Sequence, residues 1–312
     1  MEPIVRALNT RGGKIRFPAY IPVTTFGEEY PLDDLVRPYL PRLAQAMMVS
    51  YHYARNRNLS DRPNLPLLVD SGGFSALFKD ARIRKRNGLG CIERTLDGSH
   101  QLLSPLDALD LQERIADVAF TLDFPIPPGT KPAEAKVRQA LTIANAHWAL
   151  ANRRRSDLLL YACVQAWDAA SARACARAYA GCPFDGIAIG GLVPRARDLV
   201  GVLSIVDAVR AEIGDKALHV FGLGKPDVVA ELFRHGVDSV DSSSYVRLAV
   251  DGRLWSNPGA RITDPSATDR LHLALCNLAM ATGQTLPLGA SRWLFSTSIL
   301  QRLEEGQTDD SR

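Results

Sequence analysis

The 312-residue chain lacks the marks of several common protein classes. Its five cysteines (Cys91, Cys163, Cys175, Cys182 and Cys276) are scattered, odd in number and form no CxxC or CxC pair. That excludes a disulfide framework or a clustered zinc site as the expectation and leaves most of them as core residues. No apolar run approaches the roughly 20 residues of a membrane span. The opening MEPIVRALNTRGG holds no continuous apolar core of a signal peptide, so a cytoplasmic protein is expected. GxGxxG and Walker motifs are missing, and no Ser-His-Asp set stands out. A net charge of +3 leans basic without demanding a nucleic-acid partner. With no linker, repeat or low-complexity tract, one domain over residues 1–305 followed by a disordered tail, 306–312, is the economical expectation.

What the chain does have is a repeated ending. Six apolar runs each close on a polar residue or glycine: LPLLVD at Asp70, VAFTLD at Asp123, LLLYACVQ at Gln165, GIAIGG at Gly191, ALHVFG at Gly222 and VDSVD at Asp241. Short apolar runs separated by helical segments read as buried parallel strands. In a (β/α)8 barrel the strand ends facing the βα loops collect the catalytic residues. Three aspartates, a glutamine and bare glycine backbone on one rim suit a flat polar ring with charge developing beside it.

Between the runs, Ser104-Pro105 opens a helix to about Ile115, with serine at the cap and proline at the first helical position. Further helices are expected at Ala133–Arg153, Ala169–Ala180, Arg197–Ile213 and Pro226–His235, the last stopped by Gly236. Pro31–Met48 reads as helical and Val49–Tyr53 as a strand. Gly12–Thr25 reads as short strands near an edge or the barrel floor, and 79–100 as an irregular or hairpin insertion with turns at Asn87-Gly88 and Asp97-Gly98. Four prolines keep Phe124–Pro132 irregular. Two basic clusters, Lys79/Arg82/Arg84/Lys85/Arg86 and Arg153–Arg155, are candidates for phosphate contacts or simply solvated surface.

Each candidate site residue has a bland reading beside the chemical one. Asp70, before the Gly72-Gly73 pair, suits a general acid/base with Phe74 free to stack on a ring, or caps the next turn. Asp123, held among prolines, can accept from a purine's N1–H and 2-amino groups, or is a loop carboxylate. Gln165 ends a buried run and needs a partner, ligand or backbone. Gly190-Gly191 offers bare backbone to a base edge or permits tight packing. Asp238 and Asp241 are three apart in a strand, so only one faces the barrel axis, and Asp241, which ends the run, is the better nucleophile.

Taken together, RGGKIRFPAYIPVTT, SYHY, DSGGF, LDGSHQLLSP with Gln112 downstream, TLDFPIPP, VQ, FDGIAIGGL and HVFGLGKPDVVAELFRHGVDSVD resemble the tRNA-guanine transglycosylase superfamily, in order from about residue 10 to 250. The resemblance implies a TIM-type barrel that exchanges guanine for a 7-deazaguanine. It implies Asp241 as the nucleophile at C1′ and Asp70 as the acid/base at the incoming N9. Phe74, Asp123, Gln165 and Gly191 then hold the base, with Gly190 beside them as bare backbone. Arg82, Arg84, Lys85 and Arg86, from their clustering, and Arg247 are the candidates to hold nucleic acid. Capture of an oxocarbenium-like centre by a carboxylate parallels retaining glycosidases.

The departures shape the expectation. The superfamily's tRNA enzymes carry CxCxxC…H after the nucleophile, whereas Ser242–Trp255 contains no cysteine or histidine. No zinc subdomain, no metal and no cofactor are therefore expected, and DNA is favoured over tRNA as the polymer. The glutamate expected after GGL is missing, with Arg195 and Arg197 nearby, which favours a neutral base such as 7-cyano-7-deazaguanine over an amine. Accessory proteins for strand opening or targeting complete the expected partners. The rival readings are a tRNA enzyme with an altered RNA-binding surface, a non-catalytic base- or nucleic-acid-binding subunit, and a glycosidase on free nucleosides.

Overall fold

The computed structural model describes residues 6–26, 30–57, 59, 62–96 and 99–284. Eight short strands, all parallel, close into a barrel in chain order: β1 (Ala19–Thr24), β2 (Met47–Val49), β3 (Leu67–Val69), β4 (Val118–Phe120), β5 (Leu159–Val164), β6 (Gly186–Ile189), β7 (Ala217–Val220) and β8 (Ser239–Ser242). Closure runs through β8 against β1, with Ser239 opposite Ala19 and Asp241 opposite Ile21. The six apolar runs of the sequence are β3 to β8. The expected TIM-type (β/α)8 architecture is the one found.

Alternation sorts the strands into two cores. Met47, Val49, Leu67, Val69, Ala119, Leu160, Val164, Ile187, Ile189, Leu218, Val220 and Val240 face outward into the helical ring. Ile21, Met48, Leu68, Val118, Phe120, Tyr161, Cys163 and Ala188 fill the barrel itself. Gly186 makes room there, since a Cβ on it would sit 2.4 Å from Tyr161 Cζ. The floor is closed by an antiparallel hairpin, Ala7–Thr10 with Gly13–Arg16, whose Ile15 joins the inner core. Buried Asp117 ties that hairpin down by accepting from Gly12 N (3.1 Å) and Leu67 N (2.8 Å). Asp238 works at the same end, accepting from Leu218 N and Arg210. The carboxylate not chosen as nucleophile is thus a structural one.

Helices follow the strands at Pro105–Ile115, Pro132–Asn152, Ala169–Arg177, Leu199–Ile213 and Pro226–Arg234. Ser104 and Asp107 form the capping box of the first. Gly236 (φ 80°) follows the last. Two expectations are corrected. Pro38 and Pro41 break Pro31–Met48 into the short turns Pro31–Val36, Arg37–Tyr39 and Leu40–Leu43 ahead of β2. Val49–Tyr53 is not a strand: extension ends at Val49, and Tyr51–Ala54 is one helical turn whose first amide, Tyr51 N, donates to Asp70 Oδ1. The insertion is a three-stranded antiparallel sheet, Ala81–Arg86, Leu89–Leu96 and Ser99–Leu103. Asn87 and Gly88, both at positive φ, make its first turn. Asp97-Gly98, the end of the expected domain (285–305) and the tail 306–312 lie outside the described residues. Cys91, Cys163 and Cys175 are buried, and Cys182 and Cys276 half-buried.

Candidate active site

The C-terminal ends of the strands surround a cavity of about 310 Å³. It is lined by Asp70, Phe74, Asp123, Gln165, Gly190, Gly191, Asp241 and Arg247, so eight candidates meet in one place. Ser71, Gly73, Val193, Pro194, Phe221 and Gly222 complete much of the wall.

Asp70 leaves the end of β3 with Oδ1 accepting from Tyr51 N (2.8 Å) and Gly72 N (2.9 Å). Gly72 sits at φ 77°, a turn that brings its amide back onto the carboxylate. Gln112 on the Pro105–Ile115 helix donates to the carbonyls of Val69, Asp70 and Phe120, which fixes the ends of β3 and β4 together. Burial pushes the Asp70 carboxyl up to about 6. The two amides pull the other way, and the Asp241 charge adds to the rise. A carboxyl near 6 serves both as acid and as base close to neutral pH.

On the wall, Asp123 Oδ2 accepts from Gln165 Nε2 (2.5 Å) and its Oδ1 from Ser71 Oγ (2.9 Å). Burial raises the Asp123 carboxyl, opposed by these two donors. Gln165 is anchored in turn: its Oε1 accepts from Ile126 N, and Gln139 donates to its main-chain carbonyl. Close approach explains two glycines here. A Cβ on Gly190 would lie 2.2 Å from Gln165 Nε2, and one on Gly73 2.4 Å from the Asp123 carbonyl oxygen. The irregular Phe124–Pro132 segment carries Ile126 and so serves the wall.

Asp241 lies near the end of β8, almost buried, with Oδ1 accepting from His219 Nε2 (3.0 Å) and Gly222 N (3.2 Å). Phe74, by contrast, is 60% exposed at the rim, edge-on to Phe78 at 5.9 Å, with one face open to a planar ligand. Arg247 reaches the cavity from the helix Ser244–Val250.

The remaining basic candidates do not line the cavity. Arg82, Arg84, Lys85 and Arg86 are exposed on the first strand of the insertion, which packs beside the turn that carries Phe74. Arg84 and Arg86 both pair with Glu93, which offsets part of their charge. The Arg153–Arg155 run is taken up by the fold: Arg153 pairs with Asp185, Arg154 with Glu113 and Asp110, and Arg155 bonds the carbonyls of Glu113 and Ala116. It is not an open phosphate surface. His219 and Ser71 escaped sequence reasoning, which named Gly222 as the end of an apolar run and not as a donor to Asp241. The available signal for His219 was its inward parity with Ala217 and Phe221 in an otherwise apolar run.

Two acidic side chains opening on one cavity at the mouth of a closed parallel barrel, beside a polar wall sized for a flat ring, define a barrel enzyme. The comparisons narrow the class. A sequence model of the family described as queuine tRNA-ribosyltransferase matches residues 5–284. Similar proteins named queuine tRNA-ribosyltransferase include one from Moorella thermoacetica, 29% identical over 66% of this chain and 56% of that protein. Others come from Cereibacter sphaeroides, 28% identical over 81% and 70%, and Marinobacter nauticus, 28% over 79% and 69%. The chain belongs to this family, a family of pentosyltransferases. Among the described residues no three His, Cys, Asp or Glu side chains come together in a group that could hold a metal ion.

Proposed function

We propose that the protein exchanges guanine in nucleic acid, DNA in preference to tRNA, for a 7-deazaguanine such as 7-cyano-7-deazaguanine, through a covalent glycosyl-aspartate. One observation carries the reading: Asp241 and Asp70 open on the cavity whose wall is the Asp123–Gln165 pair. In the first half-reaction Asp241 attacks C1′, the C1′–N9 bond breaks, and protonated Asp70 supplies the proton that the departing guanine needs at N9. In the second, ionised Asp70 takes the N9 proton of the incoming base. N9 then attacks C1′ and the C1′–Asp241 bond breaks, returning both carboxyls to their starting states. Asp123 accepts from the N1–H and 2-amino edge, Gly190 and Gly191 offer backbone, and Phe74 covers the ring.

Val193 and Pro194 give the cavity an apolar flank with no carboxylate, while Arg195 turns to the Ile126 carbonyl. That supports a neutral substituent at the 7-position. The preference for DNA rests on the stretch Ser242–Trp255 after the nucleophile, which holds no cysteine or histidine. Arg247 and the Arg82–Arg86 strand supply the phosphate contacts. A target inside a duplex has to be flipped out first, which is the place for an accessory protein. The names of the relatives favour the second reading, a tRNA substrate. The test is exchange of labelled guanine into DNA and into total tRNA by wild-type and Asp241→Ala protein. Label in DNA with the wild type alone is the expected result. Label only in tRNA selects the second reading, and none in either polymer rejects both.

A further inference from the structure

His219 is completely buried inside the barrel, between the rings of Phe120 (5.1 Å) and Phe221 (4.9 Å). Both ring nitrogens are engaged: Nε2 with Asp241 Oδ1 at 3.0 Å and Nδ1 with Ser239 Oγ at 2.8 Å. A carboxylate only accepts, so Nε2 carries the proton. The Ser239 hydroxyl then donates to Nδ1, and the ring needs no charge to satisfy both contacts. The register of β7 on β8 builds this arrangement, since His219 is paired with Ser239 and Asp241 follows on the same inward face.

Asp241 Oδ1 therefore receives two donors, His219 Nε2 and Gly222 N, whereas Oδ2 has no donor among the described residues. We infer that His219, held in one tautomer by Ser239, is a positioning residue that caps Oδ1 of Asp241 and leaves Oδ2 as the atom that bonds C1′. The inference rests on the proposed glycosyl-transfer reading of the same site. It goes further in assigning the two oxygens different work. When Oδ2 attacks, the pinned Oδ1 fixes the plane of the carboxylate toward the sugar. When the ester breaks in the second half-reaction, charge returns to the carboxylate, and the two donors are already in place to receive it. The bond that forms and then breaks is C1′–Oδ2 alone, and His219 neither gains nor loses a proton.

The experiment compares His219→Gln with His219→Asn in the guanine exchange assay, with His219→Leu as a third variant. Glutamine places its amide nitrogen near the position of Nε2, while asparagine places it near that of Nδ1 and leaves Oδ1 uncapped. The expected result is a kcat loss of about 100-fold for Asn and Leu, with KM for the base unchanged, and recovery by Gln to within about tenfold of wild type. The Gln and Asn proteins carry the same polar group in the same cavity, so a purely structural role lowers both alike. Equal kcat for the two, with active wild-type protein, overturns the inference and leaves the transglycosylase reading standing. Wild-type protein that exchanges no base into DNA or tRNA overturns the reading itself, and the inference with it.

Discussion

Replacing Asp70 with asparagine should stabilise the protein at neutral pH while removing the proposed proton transfer. The folded-state carboxyl titrates near 6, against an ordinary 3.8, and burial is the first cause. Between those values the folded protein holds a proton that the unfolded chain has released. Wild-type stability thus falls as pH rises from about 4 to about 6 and stays at the lower level above that. At about 1.4 kcal/mol per pH unit the ceiling of the penalty is near 3 kcal/mol. Asp70 is only partly buried, and asparagine keeps an oxygen for Tyr51 N and Gly72 N. A gain of about 1–2 kcal/mol, ~2–6 °C in Tm, is therefore expected at pH 7.5. The assay is scanning calorimetry of both proteins from pH 4 to 8. The Tm difference should shrink steeply toward pH 4, where the unfolded chain too begins to hold a proton on Asp70. A variant less stable than wild type at pH 7.5, or a gain that does not change with pH, would refute the reasoning.

Other perturbations separate the layers of the molecule. Gly190→Ala drives a methyl into Gln165 Nε2 and should raise KM for the base at least tenfold, read by base-exchange kinetics, with the fold intact by circular dichroism. Asp117→Ala leaves the amides of Gly12 and Leu67 without their acceptor and should destabilise by about 2–4 kcal/mol in urea melts, with kcat of the folded fraction unchanged. Arg82→Glu with Lys85→Glu should weaken polymer binding and flatten its salt dependence, measured by fluorescence anisotropy, without moving KM for the free base. Activity of the wild type should decline as pH rises through about 6, because Asp70 then loses the proton that it supplies to N9 of the departing guanine.

The barrel was legible because its strands are fully buried on both sides. Short continuous apolar runs such as LLLYACV, spaced by helical segments, read as interior strands, and a polar residue or glycine at each end marks the rim. Strand ends also brought Asp70, Gln165 and Asp241 to one cavity, as that logic requires. What stayed hidden depends on contacts distant in sequence. His219 looks like one polar residue in an apolar run until β7 is laid against β8 and Ser239 comes opposite it. The fate of Arg153–Arg155 is set by Asp185 and Glu113, about 30 to 40 positions away. Residues 31–54 misled for a local reason: propensity favours one helix, but prolines at 38 and 41 divide it, and the turn at Tyr51 forms where Asp70 accepts its amide.

The account turns on Asp241 forming a bond to sugar. The most direct test is to quench the exchange reaction in denaturant, isolate protein that carries polymer, and map the attachment by peptide mass spectrometry. The account predicts an adduct on the peptide bearing Asp241 that vanishes in Asp241→Ala. An adduct on another residue, or active exchange with no adduct at any time point, would contradict it.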